Sequence, residues 1–391
     1  MEIVSGTSVS LCDIFKSQAW INFLETYSHR IRPSVIENVN KVVCCGTGSL
    51  GFSLFSCLCG NSLSVPFTCK SRFCSRCGKV ACDNWMKRVI SWALPDMRYR
   101  HIVFTIPKEL RLTLILNRKA GLDSLFTASK NALLQVFHDK FECIPGIISI
   151  VHTFGSDIKW NPHVHVIITS GGVSSDKKSW IWTDFIPYSL LRTAWKTLLI
   201  NTLRRWAKSV HSPNEYFVFN QLLDTLFKKQ WYVNIGKILD SLTFTIQYIG
   251  RYAKRPVIAE TRLINFDGDF VSFSFKDKET QKQSVLSFSV SEFIGKLIRH
   301  IPDKHHRMIR YSGLFASRCK NAYLQLIHSL LSSGKQFLFT PPSPNISWRN
   351  SIFKFTGSDP LLCRKCLSIM SLSSMTFKSP LGHMRTINFS P

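Results

Sequence analysis

Nine of the thirteen cysteines lie before residue 83, and this crowding limits what the first part of the chain can fold into. The N-terminal sequence MEIVSGTSVS has neither a basic segment nor an apolar run, so we expect no secretory signal. Outside secreted proteins, clustered cysteines indicate metal binding or catalysis before disulfides. Cys74 and Cys77 have the CxxC spacing of two ligands of a tetrahedral zinc site. We expect the other two ligands among Cys57, Cys59 and Cys69.

Cys57 and Cys59 depart from the CxxC spacing, because only one residue separates them. Cys69 or Cys45 is therefore an alternative to one member of that pair, and the fourth ligand stays open. Cys82 is expected to take no part in the site.

A second CxxC pair, Cys363 and Cys366, lies near the other end of the chain. No further cysteine follows it, and Leu367 stands where glycine usually follows such a pair. We interpret the pair as a degenerate remnant, with a second zinc site as the alternative.

His163 and His165 lie two residues apart inside an apolar β-type run, 163–169. Side chains on a strand alternate between faces, so both imidazoles project to one side, about 7 Å apart by the strand repeat. The preceding run, 147–154, contains His152, and the loop between the runs predicts a β-hairpin. If the hairpin places His152 opposite either histidine, three imidazoles can bind one divalent cation. The alternative is that these are incidental surface histidines.

Tyr248 and Tyr252 are four residues apart and share one face if the segment is helical. Arg251, Lys254 and Arg255 lie beside them and suit phosphate contacts. A phenol is a poor nucleophile at its free pKa of about 10, but neighbouring cations and a metal-bound phosphate would help it to attack phosphorus. The alternative is that the two tyrosines only pack at the edge of a core.

The formal net charge of +26 favours a polyanionic partner. From Lys304 to the C-terminus there are 12 basic residues and one acidic residue, Asp359. With 45% hydrophobic residues the chain is expected to fold around real cores, which excludes a mainly disordered protein. No apolar run is long enough to span a membrane.

Hydrophobic periodicity predicts a mixture of helices and short strands. Pro33 is expected to end or interrupt an N-terminal helix. Helices are predicted over 1–40, 82–93, 108–141, 186–208 and 221–254, and strands over 101–106, 147–154, 163–169, 270–275 and 285–290. Ser289 and Glu292 have the spacing of a helix capping box.

Several ordered segments resemble the IS91 family of transposases. The histidine pair resembles the His-hydrophobic-His motif of HUH single-strand endonucleases. TFGSDIKWNPHVHVIIT and YIGRYAKRPVIAETRL are similar to the matching family segments, as are HIVFTIPKELR and HIPDKHHRMIRY. CKSRFCSRCG resembles the zinc-binding segment that precedes them. The resemblance runs from about Cys44 to Cys366, which is most of the chain.

This resemblance implies rolling-circle transposition through a 5′-phosphotyrosine intermediate. His163 and His165 carry over as ligands of a catalytic Mg²⁺ or Mn²⁺, and His152 stands where the wider superfamily supplies a third polar ligand. Tyr252 matches the more widely shared nucleophile, and Tyr248 matches the additional tyrosine of the two-tyrosine members. The alternatives are a zinc-containing DNA-binding protein without catalysis, and a replication initiator or relaxase with the same chemistry.

The resemblance also implies an α+β fold in which a small zinc-binding module precedes an HUH domain with a central antiparallel sheet. The predicted boundaries are 1–95 for an N-terminal helix and the zinc module, 96–260 for the catalytic domain, and 261–391 for a basic C-terminal region. We expect single-stranded DNA as the partner, structural zinc at the N-terminal cysteines, and neither a membrane nor a small-molecule substrate. A cytoplasmic, nucleoid-associated prokaryotic protein is expected.

Overall fold

A computed structural model describes residues 9–92, 97–239, 246, 250, 257–277, 280–331, 347–379 and 382–389. The helices in this part of the chain are α1 (Leu11–Lys16), α2 (Gln18–Tyr27), α3 (Pro33–Val43), α4 (Ser75–Trp92), α5 (Leu110–Leu116), α6 (Arg118–Phe141), α7 (Tyr188–Val210), α8 (Pro213–Lys228), α9 (Val290–Ile298), α10 (Lys320–Leu331) and α11 (Trp348–Thr356). None of these helices is long and apolar enough to cross a membrane.

The strands of the described residues form antiparallel sheets. They are β1 (Gly51–Ser56), β2 (Ser62–Pro66), β3 (Tyr99–Phe104), β4 (Cys143–Phe154), β5 (Trp160–Ser174), β6 (Trp180–Trp182), β7 (Val233–Leu239), β8 (Leu263–Phe266), β9 (Phe270–Lys276), β10 (Gln283–Ser289), β11 (Ile309–Gly313), β12 (Ser371–Lys378) and β13 (Met384–Asn388). The predicted α+β class with a central antiparallel sheet is confirmed.

The central sheet has the strand order β11-β4-β5-β3-β7, and β6 pairs with β5. Its two faces are covered by different helices, as the alternation of side chains along a strand requires. Ile102, Val164 and Val166 face α6 and α7 in one core. Tyr99 and Ile167 face the other side, where α4 and α10 pack.

The hairpin predicted from the two β-type runs is present as β4 and β5. Its register pairs His152 with His163 and Ile150 with His165. Because the residues of one pair point to the same face, all three histidines lie on the α4 side of the sheet.

A four-stranded sheet joins the two ends of the chain, with the order β13-β12-β1-β2. Ser56, the last residue of β1, pairs with Ser371, the first residue of β12. The sequence predicted neither β12 nor β13.

A third sheet, β10-β9-β8, packs with α9 and the N-terminal helices α1 to α3 around a separate core. Ser289 caps α9 by accepting a hydrogen bond from the backbone N–H of Glu292, as the capping-box spacing predicts. Pro33 begins α3 instead of ending a helix, because proline at the first helical position has no N–H bond to lose.

The helix predicted over 221–254 is wrong for part of that range. After α8 the chain forms β7, which pairs with β3 along the edge of the central sheet. The β-branched and aliphatic residues of Val233–Leu239 suit a half-buried strand, and sheet pairing here overrides the weaker helical pattern. The predicted domain boundaries stay predictions, although β11 from the third region lies in the central sheet beside β4.

Candidate functional site

Three imidazoles converge on the α4 face of the central sheet. One possible ligand nitrogen each from His152, His163 and His165 can be chosen so that all three lie within 4.8 Å of one another. The ring centroids of His152 and His165 are 4.3 Å apart, and those of His163 and His165 are 4.8 Å apart. The hairpin register therefore brings together the three histidines that the sequence singled out.

The surroundings of His152 favour the neutral form that binds metals. His152 is buried, and burial, followed by the neighbouring His165 and His163, holds the pKa of His152 well below its usual value. The Nδ1 atom of His163 lies 2.7 Å from the carbonyl oxygen of Asn161, which suits donation of its N–H. Nε2 of His163 then keeps its lone pair. Three imidazoles would fit a divalent cation and leave further coordination positions for oxygen ligands.

A fourth histidine, His101 on β3, lies next to His165 on the neighbouring strand β5. Its Nε2 atom lies 2.8 Å from Nδ1 of His165. Burial, followed by the charge of His163, lowers the pKa of His101 to about 4. His101 is not among the residues predicted from the sequence. The sequence pattern that could have pointed to His101 is the alternation of β3, which places residues 99, 101 and 103 on one face of the strand.

The structure divides the predicted zinc ligands into two clusters. The first cysteine cluster contains Cys45, Cys69, Cys74 and Cys77. Its Sγ atoms lie 3.6 Å apart for Cys45 and Cys77, 3.6 Å for Cys69 and Cys77, and 3.9 Å for Cys45 and Cys74. Four sulfurs at about 2.3 Å from a tetrahedral zinc are about 3.8 Å apart, so this cluster fits zinc. A hydrogen bond from Cys69 lowers the pKa of Cys74 to about 5, which favours the thiolate.

Cys57 and Cys59 do not join Cys74 and Cys77, and this corrects the predicted grouping. They meet Cys363 and Cys366 instead, in the second cysteine cluster. The pairs that close it are separated by more than 300 residues, so local spacing could not reveal it. Cys82 belongs to neither cluster and is buried with its Sγ against the carbonyl oxygen of Gly250.

The first cysteine cluster is physically linked to the histidines. Cys77 lies in the first turn of α4, and the same helix places Trp85 and Val89 on the histidine-bearing face of the sheet. Arg72 lies between Cys69 and Cys74, and its positive charge is close enough to contribute to the lowered pKa of His152. Burial lowers the pKa of Arg72 itself to about 10, so it remains a cation at neutral pH.

A basic cleft of about 760 Å³ opens between the N-terminal helices, α5 and α9. The cations along it are Arg30, Arg32, Arg118, Lys296 and Arg299. Arg32 is paired with Asp303 and Lys296 with Glu292, whereas Arg30 and Arg299 are exposed. At the inner end, the guanidinium of Arg118 lies 4.8 Å from the ring centroid of Trp160.

Trp160, which Arg118 contacts, belongs to the histidine-bearing hairpin. Trp160 pairs with Phe154, two residues along β4 from His152. Arg118 therefore both lines the cleft and contacts the hairpin that carries His152 and His163.

Tyr248, Arg251, Tyr252, Lys254 and Arg255 lie outside the described residues. Two chain neighbours of Tyr248 are described. Ile246 is buried in the core on the histidine-bearing face, and Gly250 contacts Met86 of α4 so closely that a Cβ atom there would lie 2.5 Å from its side chain.

Two family models match the chain. The model described as a transposase zinc-binding domain matches residues 15–106, and the model described as a putative transposase matches residues 146–322. No solved structure gives a significant match.

Two curated relatives are similar over most of their length. The transposase for insertion sequence element IS801 of Pseudomonas savastanoi pv. phaseolicola is 30% identical, over 90% of this chain and 85% of that protein. The putative transposase y4qJ of Sinorhizobium fredii (strain NBRC 101917 / NGR234) is 26% identical, over 82% of this chain and 84% of that protein. With both the zinc-binding and the transposase model matched in order, the chain belongs to the IS91 family of transposases.

Proposed function

We propose that this transposase nicks and rejoins single-stranded DNA ends through a 5′-phosphotyrosine intermediate. The observation that carries the proposal is the convergence of His152, His163 and His165 within 4.8 Å on one face of the sheet. These residues would hold Mg²⁺ or Mn²⁺, and the cation would polarise the scissile phosphate as a Lewis acid.

The nucleophile in this proposal is Tyr252. Its phenol oxygen attacks phosphorus and loses its proton to water, the bond between phosphorus and the 3′ oxygen breaks, and the departing 3′ oxygen takes up a proton. The phosphodiester energy is retained in the tyrosine–phosphate bond, so a 3′-hydroxyl can later displace the tyrosine without ATP. Tyr248 would serve a second strand in the same way. Arg251, Lys254 and Arg255 would stabilise the phosphates around the tyrosines.

The basic cleft supplies the proposed path for the DNA strand. Arg30 and Arg299 are exposed at its mouth, and Arg118 stacks on Trp160 beside the histidine-bearing hairpin. Cations spaced along a groove follow a phosphate backbone without reading its sequence. Arg72, held between Cys69 and Cys74, is close enough to His152 to contribute to its lowered pKa, so it would also act on a phosphate at the histidines.

Zinc at the first cysteine cluster would act structurally in this proposal. It would fix the beginning of α4 and the loop that carries Arg72, because Cys74 and Cys77 stand on either side of the start of that helix. The zinc-binding family model covers all four cysteines of the cluster.

The test is a covalent-adduct assay with labelled single-stranded DNA from the flanks of the gene, in Mg²⁺ or Mn²⁺. The expected product migrates with the protein and resists denaturation, and His163→Ala abolishes it while DNA binding persists. His138→Ala, on the exposed surface of α6, is the matched control and keeps full activity.

Binding of the same DNA without any adduct, under every metal condition, would favour the zinc-containing DNA-binding protein over the enzyme. Full cleavage by His163→Ala in metal-depleted buffer would contradict the role of the histidines. An adduct formed only at a plasmid-type origin sequence would favour a replication initiator or relaxase.

A further inference from the structure

We propose that the second cysteine cluster is a structural zinc site that joins the two ends of the chain. Cys57 and Cys59 come from the turn after β1, and Cys363 and Cys366 come from the turn before β12. The four Sγ atoms lie within 4.8 Å of one another, at 3.2 Å for Cys57 and Cys366 and 3.6 Å for Cys59 and Cys363. These separations approach the roughly 3.8 Å between sulfurs around a tetrahedral zinc.

Each turn is closed by a backbone hydrogen bond from the residue after its second cysteine to the carbonyl oxygen of its first cysteine. In the first, the N–H of Gly60 donates to the carbonyl oxygen of Cys57 at 2.9 Å, and in the second the N–H of Leu367 donates to that of Cys363 at 2.9 Å. The residue after the second cysteine is left-handed in both, with φ of 82° at Gly60 and 59° at Leu367. The shorter spacing in the first turn is therefore accommodated by a tighter turn that still presents both sulfurs to the cluster.

Hydrogen-bond donors point at the sulfur of Cys363. The side-chain amide of Asn61 donates to it at 3.3 Å, and the backbone N–H of Lys365 donates at 3.4 Å. Arg364 and Lys365 are exposed between the two cysteines of this turn. Such donors and cations stabilise thiolates around zinc, and a disulfide would not need them.

The position of the cluster explains why metal is needed there. It closes the end of the β13-β12-β1-β2 sheet, where Ser56 pairs with Ser371. Every residue of β13 is exposed, and β2 alternates between exposed and half-buried residues. A sheet with so little apolar burial gains its stability from a metal more readily than from a core.

Zinc at the second cysteine cluster is independent of the nicking chemistry. The first experiment measures zinc in the purified full-length protein by mass spectrometry of the metal. We expect two zinc ions per chain, and one in the double variant Cys363→Ser/Cys366→Ser. Cys44→Ser, a cysteine beside the first cluster but outside both, is the control and keeps two.

Cysteine labelling of the unaltered protein avoids any loss of folding in the variants. Cys366 is exposed, so as a free thiol it would react with iodoacetamide readily. We expect its labelling, read by peptide mass spectrometry, to be at least tenfold slower before removal of zinc with a strong chelator than after it. The proposal would be overturned by equal labelling rates before and after chelation, or by a single zinc ion per chain. It would also be overturned by a disulfide between Cys57 and Cys366 in protein purified under reducing conditions.

Discussion

His101 and His165 lie ring against ring on neighbouring strands, with Nε2 of His101 2.8 Å from Nδ1 of His165 and only 4° between the ring planes. The contact occupies Nδ1 of His165, so Nε2 is the atom with which His165 would bind a cation. A partner of this kind fixes both the tautomer and the orientation of a metal-binding imidazole. His101 is therefore a positioning residue for the proposed catalytic site.

Replacing His101 should weaken the site without removing a ligand. We expect His101→Phe, which keeps a planar ring but loses the hydrogen bond, to lower Mn²⁺ affinity by about 10- to 100-fold. His101→Gln, which retains a polar group near His165, should recover part of the loss. Calorimetric titration with Mn²⁺ measures both, and an unchanged affinity in His101→Phe would remove His101 from the site.

The exposed cations of the basic cleft should dominate single-strand affinity. Log affinity falls with log salt with a slope of about −0.7 per phosphate neutralised on single strands. Replacing Arg30 and Arg299 with alanine should remove about two such contacts, so the slope should become shallower by about 1.4. Fluorescence anisotropy with labelled oligonucleotide at several salt concentrations gives the slope.

Lys208 is the matched control for this experiment, because it is an exposed cation that does not line the cleft. Lys208→Ala should keep the salt slope of the unaltered protein, so its slope should differ from that of the double variant. A slope that falls equally in Lys208→Ala and in the cleft variant would place the DNA elsewhere.

Because His300 is buried with a lowered pKa, we expect the protein to lose stability in acid. It is buried between Thr153 and the carbonyl oxygen of Ile158. Burial, opposed by the hydrogen bond to Ile158 and assisted by the charges of Arg118 and Arg299, lowers the pKa of His300 to about 3. Below the unfolded pKa of about 6.5 the unfolded chain binds a proton that the folded chain does not. Stability should therefore fall as pH drops from about 6.5 towards 3, with a limiting slope of about 1.4 kcal/mol per pH unit from this residue.

Denaturant unfolding between pH 7.5 and 5 measures this dependence. Other groups titrate in the same range, so the comparison is between the unaltered protein and His300→Gln, whose amide can keep both hydrogen bonds. The variant should show a shallower decline, and identical declines would mean that His300 is already protonated in the folded chain.

The local features of the site could be predicted from the sequence because they follow from strand alternation. The apolar runs on either side of the loop predict the hairpin, and period two then places His163 and His165 on one face. The register that pairs His152 with His163 is close to the sequence-based expectation, because the turn length limits how the two strands can align.

The remaining features depend on contacts between distant parts of the chain. The division of the cysteines requires Cys57 to meet Cys366, and no spacing within residues 44–82 encodes that contact. His101 becomes relevant only because β3 pairs with β5, which the sequence pattern does not specify. By sequence the pair Cys363 and Cys366 is interpreted as a remnant, because no further cysteine follows it and Leu367 stands in place of glycine. The structure supplies Cys57 and Cys59 as its partners and accommodates a left-handed leucine at 367.

The last prediction separates the two tyrosines. Tyr252 is followed by Lys254 and Arg255, and cations beside a phenol favour the phenolate that attacks phosphorus. Tyr252→Phe should therefore eliminate the first covalent adduct, whereas Tyr248→Phe should keep nicking but impair completed strand transfer. Mass spectrometry of the DNA-linked peptide from a single-turnover reaction locates the bond. Adduct only on Tyr248, or on neither tyrosine, would reverse or remove these roles, since the assignment requires that Tyr252 act before Tyr248 accepts a strand.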